Sequence, residues 1–243
     1  MRIKTPTSSP IYTSLLRGVT KALPIVIGYI PIGFAYGVLA QQAGLSTMNT
    51  LLMSIIVYAG SSQLIAVGLF AAAVPGLTII LTTFVVNLRH MLFSAALSPY
   101  LKGWKVPELA IFSFELTDES FALHSAAFAD GVPPKLELIT INMSAQVAWV
   151  LGSALGALAG QLVGDVKPFA LDYTLPAMFI ALLVMQVKSK SEIAVALAAG
   201  LLCVGLVLMG MDQWSVILAT VIGALMGVVL EASLKGVTQR RTA

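Results

Sequence analysis

Apolar positions in this chain come in long runs, not in alternation with polar ones. Hydrophobic windows mark segments at about 22–42, 48–73, 76–100, 107–128, 138–164, 170–187, 192–210 and 213–232. Each comes close to or exceeds the roughly 20 apolar residues that carry a helix across a bilayer. No Asp, Glu, Lys or Arg occurs from Ala22 to Leu88, a stretch that no water-soluble domain hides without charged turns. Turn-forming residues separate the windows: Gly44, Pro75-Gly76, Gly103 with Pro107, Gly131 through Pro134, Gly164-Asp165 with Pro168, and Lys188-Ser189-Lys190. These connections are short, so consecutive segments should be antiparallel neighbours. The pattern predicts an all-α fold, a polytopic integral membrane helical bundle of about eight spans, with discontinuous helices where polar residues interrupt a window. Seven spans are the alternative, if the fourth segment is re-entrant or interfacial.

Composition agrees, with 58% hydrophobic and 10% charged residues and a mean hydropathy of +0.94. A soluble domain carries about 25% charged residues. The net charge of +3 does not point to nucleic acid, because the basic residues sit at segment ends. Lys and Arg counting puts the N-terminal tail (Arg2, Lys4, Arg17, Lys21), the Lys188/Lys190 turn and the tail with Lys235, Arg240 and Arg241 in the cytoplasm. Eight spans satisfy this at the cost of leaving Lys102 and Lys105 outside. The organisation expected is a cytoplasmic segment at 1–21, a transmembrane domain at 22–232 and a basic cytoplasmic tail at 233–243. The first apolar run is too long for a signal peptide and lacks a convincing cleavage site, so it should persist in the mature protein. Cys203 stands alone in an apolar stretch and reads as a small core residue.

Polar residues inside the windows carry the candidate chemistry. Gly60-Ser61-Ser62-Gln63 interrupts the second segment, Asn87, Arg89 and His90 lie in the third, and Glu115, Asp118 and Glu119 in the fourth. An ionised residue at a helix centre costs roughly 2.5 to 3.5 kcal/mol even on lenient insertion scales, so these groups must face one another, water or a cavity. On a continuous helix Glu115, Asp118 and Glu119 fall at i, i+3 and i+4, one acidic face. Thr83, Asn87, His90 and Ser94 form a polar stripe on the preceding helix, and Arg89 projects elsewhere with reach enough to meet a carboxylate. A mid-span Gly-Ser-Ser-Gln suits a broken helix, whose free N-terminus can hold a substrate carboxylate. His124, near the end of the fourth segment, reads as interfacial, as does the Asp212-Gln213-Trp214 turn. Nothing has metal-ligand spacing, and no nucleotide-binding glycine pattern or nucleophile elbow is present, so neither metal nor cofactor is expected.

Small residues mark the packing faces. Gly152, Gly156, Gly160 and Gly164 recur every fourth residue, and Gly33/Gly37 and Gly223/Gly227 repeat the device. Tyr29 and Tyr36 share a face with Gly33 on a helix loosened by Pro31, an arrangement suited to lining a cavity or to simple kinked packing. The stretch from Gly33 to Gln42 matches the stretch from Gly152 to Gln161 without gaps at glycine, alanine, leucine and glutamine positions. A duplicated architecture would produce this, with a separation of four spans making the repeat parallel.

Gly33-Phe34-Ala35-Tyr36-Gly37, Ala59-Gly60-Ser61-Ser62-Gln63, Asn87-Leu88-Arg89-His90 and Thr117-Asp118-Glu119-Ser120-Phe121, in this order and spacing, resemble the AzlC (YgaZ-type) family of branched-chain amino acid permeases over nearly the whole chain. The resemblance implies export of valine, leucine, isoleucine and sometimes methionine through a bacterial inner membrane, in complex with a small membrane subunit of the AzlD (YgaH-type) family. Tyr36, Gly60, Ser61, Ser62, Gln63, Asn87 and His90 become candidate substrate-binding residues. Arg89, Glu115, Asp118 and Glu119 become candidates for proton coupling or charge pairing. The alternatives are an ion channel with a file of acids, a carrier of another small polar solute, a membrane-embedded acid–base enzyme, and a non-transporting scaffold.

Overall fold

A computed structural model of the chain describes residues 11–162, 189–211 and 218–230 continuously, with single positions between them. It divides into two compact units, Met1–Phe179 and Ile180–Ala243. All described secondary structure is helical.

In the first unit α1 (Ile11–Gln42) and α7 (Lys135–Gly160) form the spine. α1 begins well before its apolar window and stays helical through Pro24 and Pro31. The two helices run parallel in close contact. Lys21 Nζ lies 2.7 Å from Glu137 Oε1 near their starts, and Gln41 and Val38 lie against Gly160 near their ends. Glycine sets this approach: a Cβ on Gly33 would stand 2.9 Å from the Trp149 carbonyl oxygen, and one on Gly152 only 2.5 Å from that of Ile30. Gly37 and Gly156 are equally intolerant of a side chain. The two matching stretches are thus the facing sides of one parallel pair, so the resemblance between them has a packing reason. Gly164 lies outside the described residues.

The second and fourth segments depart from the expected spans. The second is α2 (Thr47–Leu52), a π-helical turn (Met53–Val57), a break at Tyr58 and Ala59, and α3 (Gly60–Ala71). Tyr58 is left-handed, φ 40 and ψ 52, which reverses the chain direction at a cost of about 1–2 kcal/mol for a residue with a Cβ. Phe70, near the end of α3, lines the same cleft as Ala43, Gly44, Leu45 and Asn49, so α3 returns to the end at which α2 began. α4 (Gly76–Leu97) then runs the full length back, finishing with Leu97 and Leu101 among Phe112, Phe128 and Leu138.

The fourth segment is α5 (Val106–Phe114), a break at Glu115 to Thr117, and α6 (Asp118–Asp130). Glu108 Oε2 at the start of α5 lies 2.6 Å from Lys135 Nζ at the start of α7, and α6 ends five residues before that lysine. α5 therefore enters and α6 leaves at one end. Nine and twelve residues give α5 and α3 lengths of about 14 and 18 Å, short of a hydrocarbon core of about 30 Å. Both segments are re-entrant hairpins, and they enter from opposite ends. Window lengths argued for continuous helices in the sequence; each segment instead breaks at its polar residues and folds back.

The second unit contains α8 (Lys190–Leu208) and α9 (Leu218–Leu230). Gly223 faces Ala199 there, where a Cβ would meet the alanine methyl at 3.0 Å. Most of the sixth window, the Asp212-Gln213-Trp214 turn and the whole of the C-terminal tail lie outside the described residues.

Candidate functional site

Trp149, in the middle of α7 and 2% exposed, is the platform for the first hairpin tip and for Tyr29, which anchors the second. Tyr29 meets its ring edge-on with centroids 5.5 Å apart, and Tyr36 stacks at 5.9 Å. Gly60 sits against the indole, where a Cβ would come within 2.8 Å of Cη2. The indole Nε1–H donates to Gln63 Oε1 at 3.1 Å, and Gln63 Nε2 donates to Ser54 Oγ at 3.2 Å. Ser54 in turn donates to Ser153 Oγ at 2.8 Å. Every link of this chain is buried and partnered, which fixes the first hairpin against α7.

α4 ties the two tips together. Ser62 in the first turn of α3 donates to Asn87 Oδ1. Arg89 Nη2 donates to Ser61 Oγ and also lies 3.0 Å from Asp118 Oδ2, so one guanidinium joins the first turns of α3 and α6. The second tip has its own anchor in Tyr29, whose Oη lies 2.5 Å from Glu119 Oε2 and 2.7 Å from Thr117 Oγ1.

The N-termini of the two returning helices are finished differently. Thr117 and Ser120 form a reciprocal capping box at the start of α6. The N-cap of α3 is Ala59, which has no side chain able to accept from the first N–H groups. Gln63 N donates to Ala59 O, the first regular bond of that helix. Among the described residues, four buried side-chain polar atoms have no hydrogen-bond partner, and three belong to the tips and their tie: Tyr58 Oη, Arg89 Nε and Glu115 Oε2.

The geometry revises several assignments. Gly60, Ser61, Ser62, Asn87 and Arg89 do meet at one place. Gln63 and Tyr36 have partners within the protein: Gln63 bonds to Trp149 and Ser54, and the Tyr36 hydroxyl donates to the Thr50 carbonyl at 3.3 Å. Glu115, Asp118 and Glu119 do not share a helix face, because the chain breaks between the first and the other two. Thr117 followed by two acids is a helix-start signature that the spacing argument overlooked. Half of the polar stripe of α4 is spent on its own helix, with Thr83 bonded to the Ile79 carbonyl and Ser94 to that of His90. His90 itself stacks on Phe93, which stacks on Phe121. His124 is fully buried, not interfacial, with Nε2 2.7 Å from Asn142 Oδ1 and Phe112 and Phe128 around it. Trp149, Tyr58 and Ser54 were not singled out in the sequence; an indole or phenol in an apolar window has no pattern that separates platform from filler.

Comparison with known proteins settles the family. The family model described as AzlC protein matches residues 24–163, which hold both hairpins, α4 and the spine. The chain belongs to the AzlC family. It is 32% identical to the inner membrane protein YgaZ of Escherichia coli over 82% of this chain and 83% of that one. An uncharacterized membrane protein of Archaeoglobus fulgidus is 31% identical over 86% of this chain and 92% of its own. The branched-chain amino acid transport protein AzlC of Bacillus subtilis is 26% identical over 85% and 81%. No solved structure matches the chain significantly. As an AzlC-family protein it is a multi-pass membrane transport protein and not an enzyme.

Proposed function

We propose that this AzlC-family chain carries branched-chain amino acids across a bacterial inner membrane, binding the zwitterion where the two hairpin tips meet. The observation that carries this is the joining of two opposed broken helices by Arg89 at the centre of the first unit. Broken helices place free N–H groups and polar side chains at mid-depth, which a carrier of a small charged solute needs and a packing contact does not. The printed name of the Bacillus subtilis relative supports the substrate class. A conducting file of acids is disfavoured, since Asp118 and Glu119 are committed to Arg89 and Tyr29.

The hairpins also reconcile the charge pattern. Arg17, Lys21, Lys102, Lys105 and Lys135 all fall at the end where α1 starts, while the connections 43–46 and 72–75 at the other end hold no Lys or Arg. The positive-inside rule makes the basic end cytoplasmic, and the misplacement of Lys102 and Lys105 disappears. Within the first unit α1, α4 and α7 then cross the membrane, and the transport domain at 22–232 keeps 1–21 and 233–243 in the cytoplasm with both termini inside. Transport runs outward and is coupled to protons, with Glu115, the acid of the second tip that has no partner, and His90 as the carriers. α4 buries only 6% of its apolar window, which leaves a long face for lipid and for a small AzlD-type partner.

Uptake of labelled L-valine into sealed vesicles, with and without such a partner and an imposed proton gradient, tests the reading. Saturable movement is expected, with competition from leucine, isoleucine and methionine and little from D-valine. An apolar pocket distinguishes a methylene by only about 1–3 kcal/mol, so the side-chain specificities should overlap. Absence of valine movement in a folded complex sinks the substrate assignment.

A further inference from the structure

The three acids at the second hairpin are not equivalent. Asp118 is paired with Arg89, and Glu119 accepts from Tyr29. Glu115 is 4% exposed, and its Oε2 has no partner. Tyr58 is 2% exposed, and its hydroxyl also has none; Arg89 joins Ser61, three residues after Tyr58, to Asp118, three residues after Glu115, which brings the two tips together. Tyr58 is the residue at which the first hairpin turns, and Glu115 closes the inbound helix of the second. A carboxylate and a phenol buried without partners cost a few kcal/mol together unless something satisfies them. A cationic group that donates several hydrogen bonds satisfies both oxygens at once. Beside it, the uncapped start of α3 and the free Nε–H of Arg89 require the converse, a compact anion.

We infer that Glu115 and Tyr58 form the site for the substrate's ammonium group, and that the α3 N-terminus with Arg89 Nε forms the site for its carboxylate. This rests on the amino-acid transport reading and fixes the polarity of the bound zwitterion. The ammonium is directed to the inbound end of the cytoplasmic hairpin and the carboxylate to the start of α3, while Asp118 and Glu119 hold the framework. Arg89 remains a tie as well as a ligand, because its Nη2 stays on Ser61 and Asp118 while Nε takes the substrate. Recognition of the 2-amino group, by this account, resides in a single buried carboxylate and the phenol opposite it.

The test is binding of L-valine and of its 2-hydroxy analogue, 2-hydroxy-3-methylbutanoate, to the purified full chain with its partner in lipid nanodiscs. Wild type is expected to prefer valine strongly. Glu115→Gln should weaken valine on the order of 100-fold, the effect of removing one partner of a buried charge pair, and leave the hydroxy acid within about threefold. Tyr58→Phe, which keeps the packing, should weaken valine about tenfold with the same indifference to the hydroxy acid. A Glu115→Gln protein that retains the valine preference, or that loses both ligands equally, overturns the proposal. Wild type that binds no valine overturns the transport reading, and the proposal with it.

Discussion

The two hairpins have a common outline, a short helix in, a break at mid-depth and a helix out, yet their tips are built from opposite materials. The first, Tyr58-Ala59-Gly60-Ser61-Ser62-Gln63, contains no charge and leaves the start of its returning helix uncapped. The second, Glu115-Leu116-Thr117-Asp118-Glu119-Ser120, caps its helix with its own side chains and carries three acids. A helix start bears about half a positive charge, which the first tip leaves without a side-chain cap and the second neutralises internally. On the proposed assignment, this difference lets two tips joined by a single guanidinium offer an anion site and a cation site a few residues apart.

The largest break in this comparison comes from Arg89, the residue both tips share. Arg89→Ala should cost about 3–5 kcal/mol of stability by leaving Asp118 buried and unpaired, and should abolish transport. Adding Asp118→Ala should recover much of the stability, read by thermal unfolding in detergent, without recovering transport. Next in size is a substitution that makes the first tip resemble the second. Ala59→Ser offers α3 the cap it lacks, and should raise stability by about 1 kcal/mol while weakening valine binding about tenfold, because a serine oxygen then occupies the N–H groups. The converse change, Thr117→Val, removes the cap of α6 and should cost about 1 kcal/mol with valine affinity changed less than about threefold. Smallest is Tyr36→Phe, which gives up one long hydrogen bond to Thr50, about 0.5–1 kcal/mol, and should leave transport intact. Large transport loss in that variant would return Tyr36 to the binding site.

Much of this was legible in the sequence for a physical reason: lipid forbids unpaired polar groups, so Gly60 to Gln63, Asn87, Arg89 and the acids stood out against an apolar background. The glycine repeats on α1 and α7 were equally readable, since only a close backbone approach requires them at that spacing. What was hidden follows from direction. A window of 20 or more apolar residues reads the same whether the chain crosses or turns back, and the turn at Tyr58 depends on a left-handed backbone that tyrosine does not advertise. The fate of the acids was obscured by assuming an unbroken helix through Thr117. Gln63 and Ser62 illustrate a third limit. They are adjacent and chemically alike as polar groups, but one faces α7 and the other α4, and only the packed tip separates their roles.

The placement of the two hairpins on opposite sides of the membrane is the claim on which the site depends, and sided cysteine labelling tests it most directly. In a Cys203→Ser background, single cysteines at Met48, Ala72, Lys102 and Val132 would be probed in intact cells with an impermeant thiol reagent, then again after permeabilisation. The account predicts that Met48→Cys and Ala72→Cys react from outside, and that Lys102→Cys and Val132→Cys react only after permeabilisation. Labelling that alternates, with Met48→Cys and Lys102→Cys outside and the other two inside, would mean that both segments cross, and would contradict the meeting of the tips.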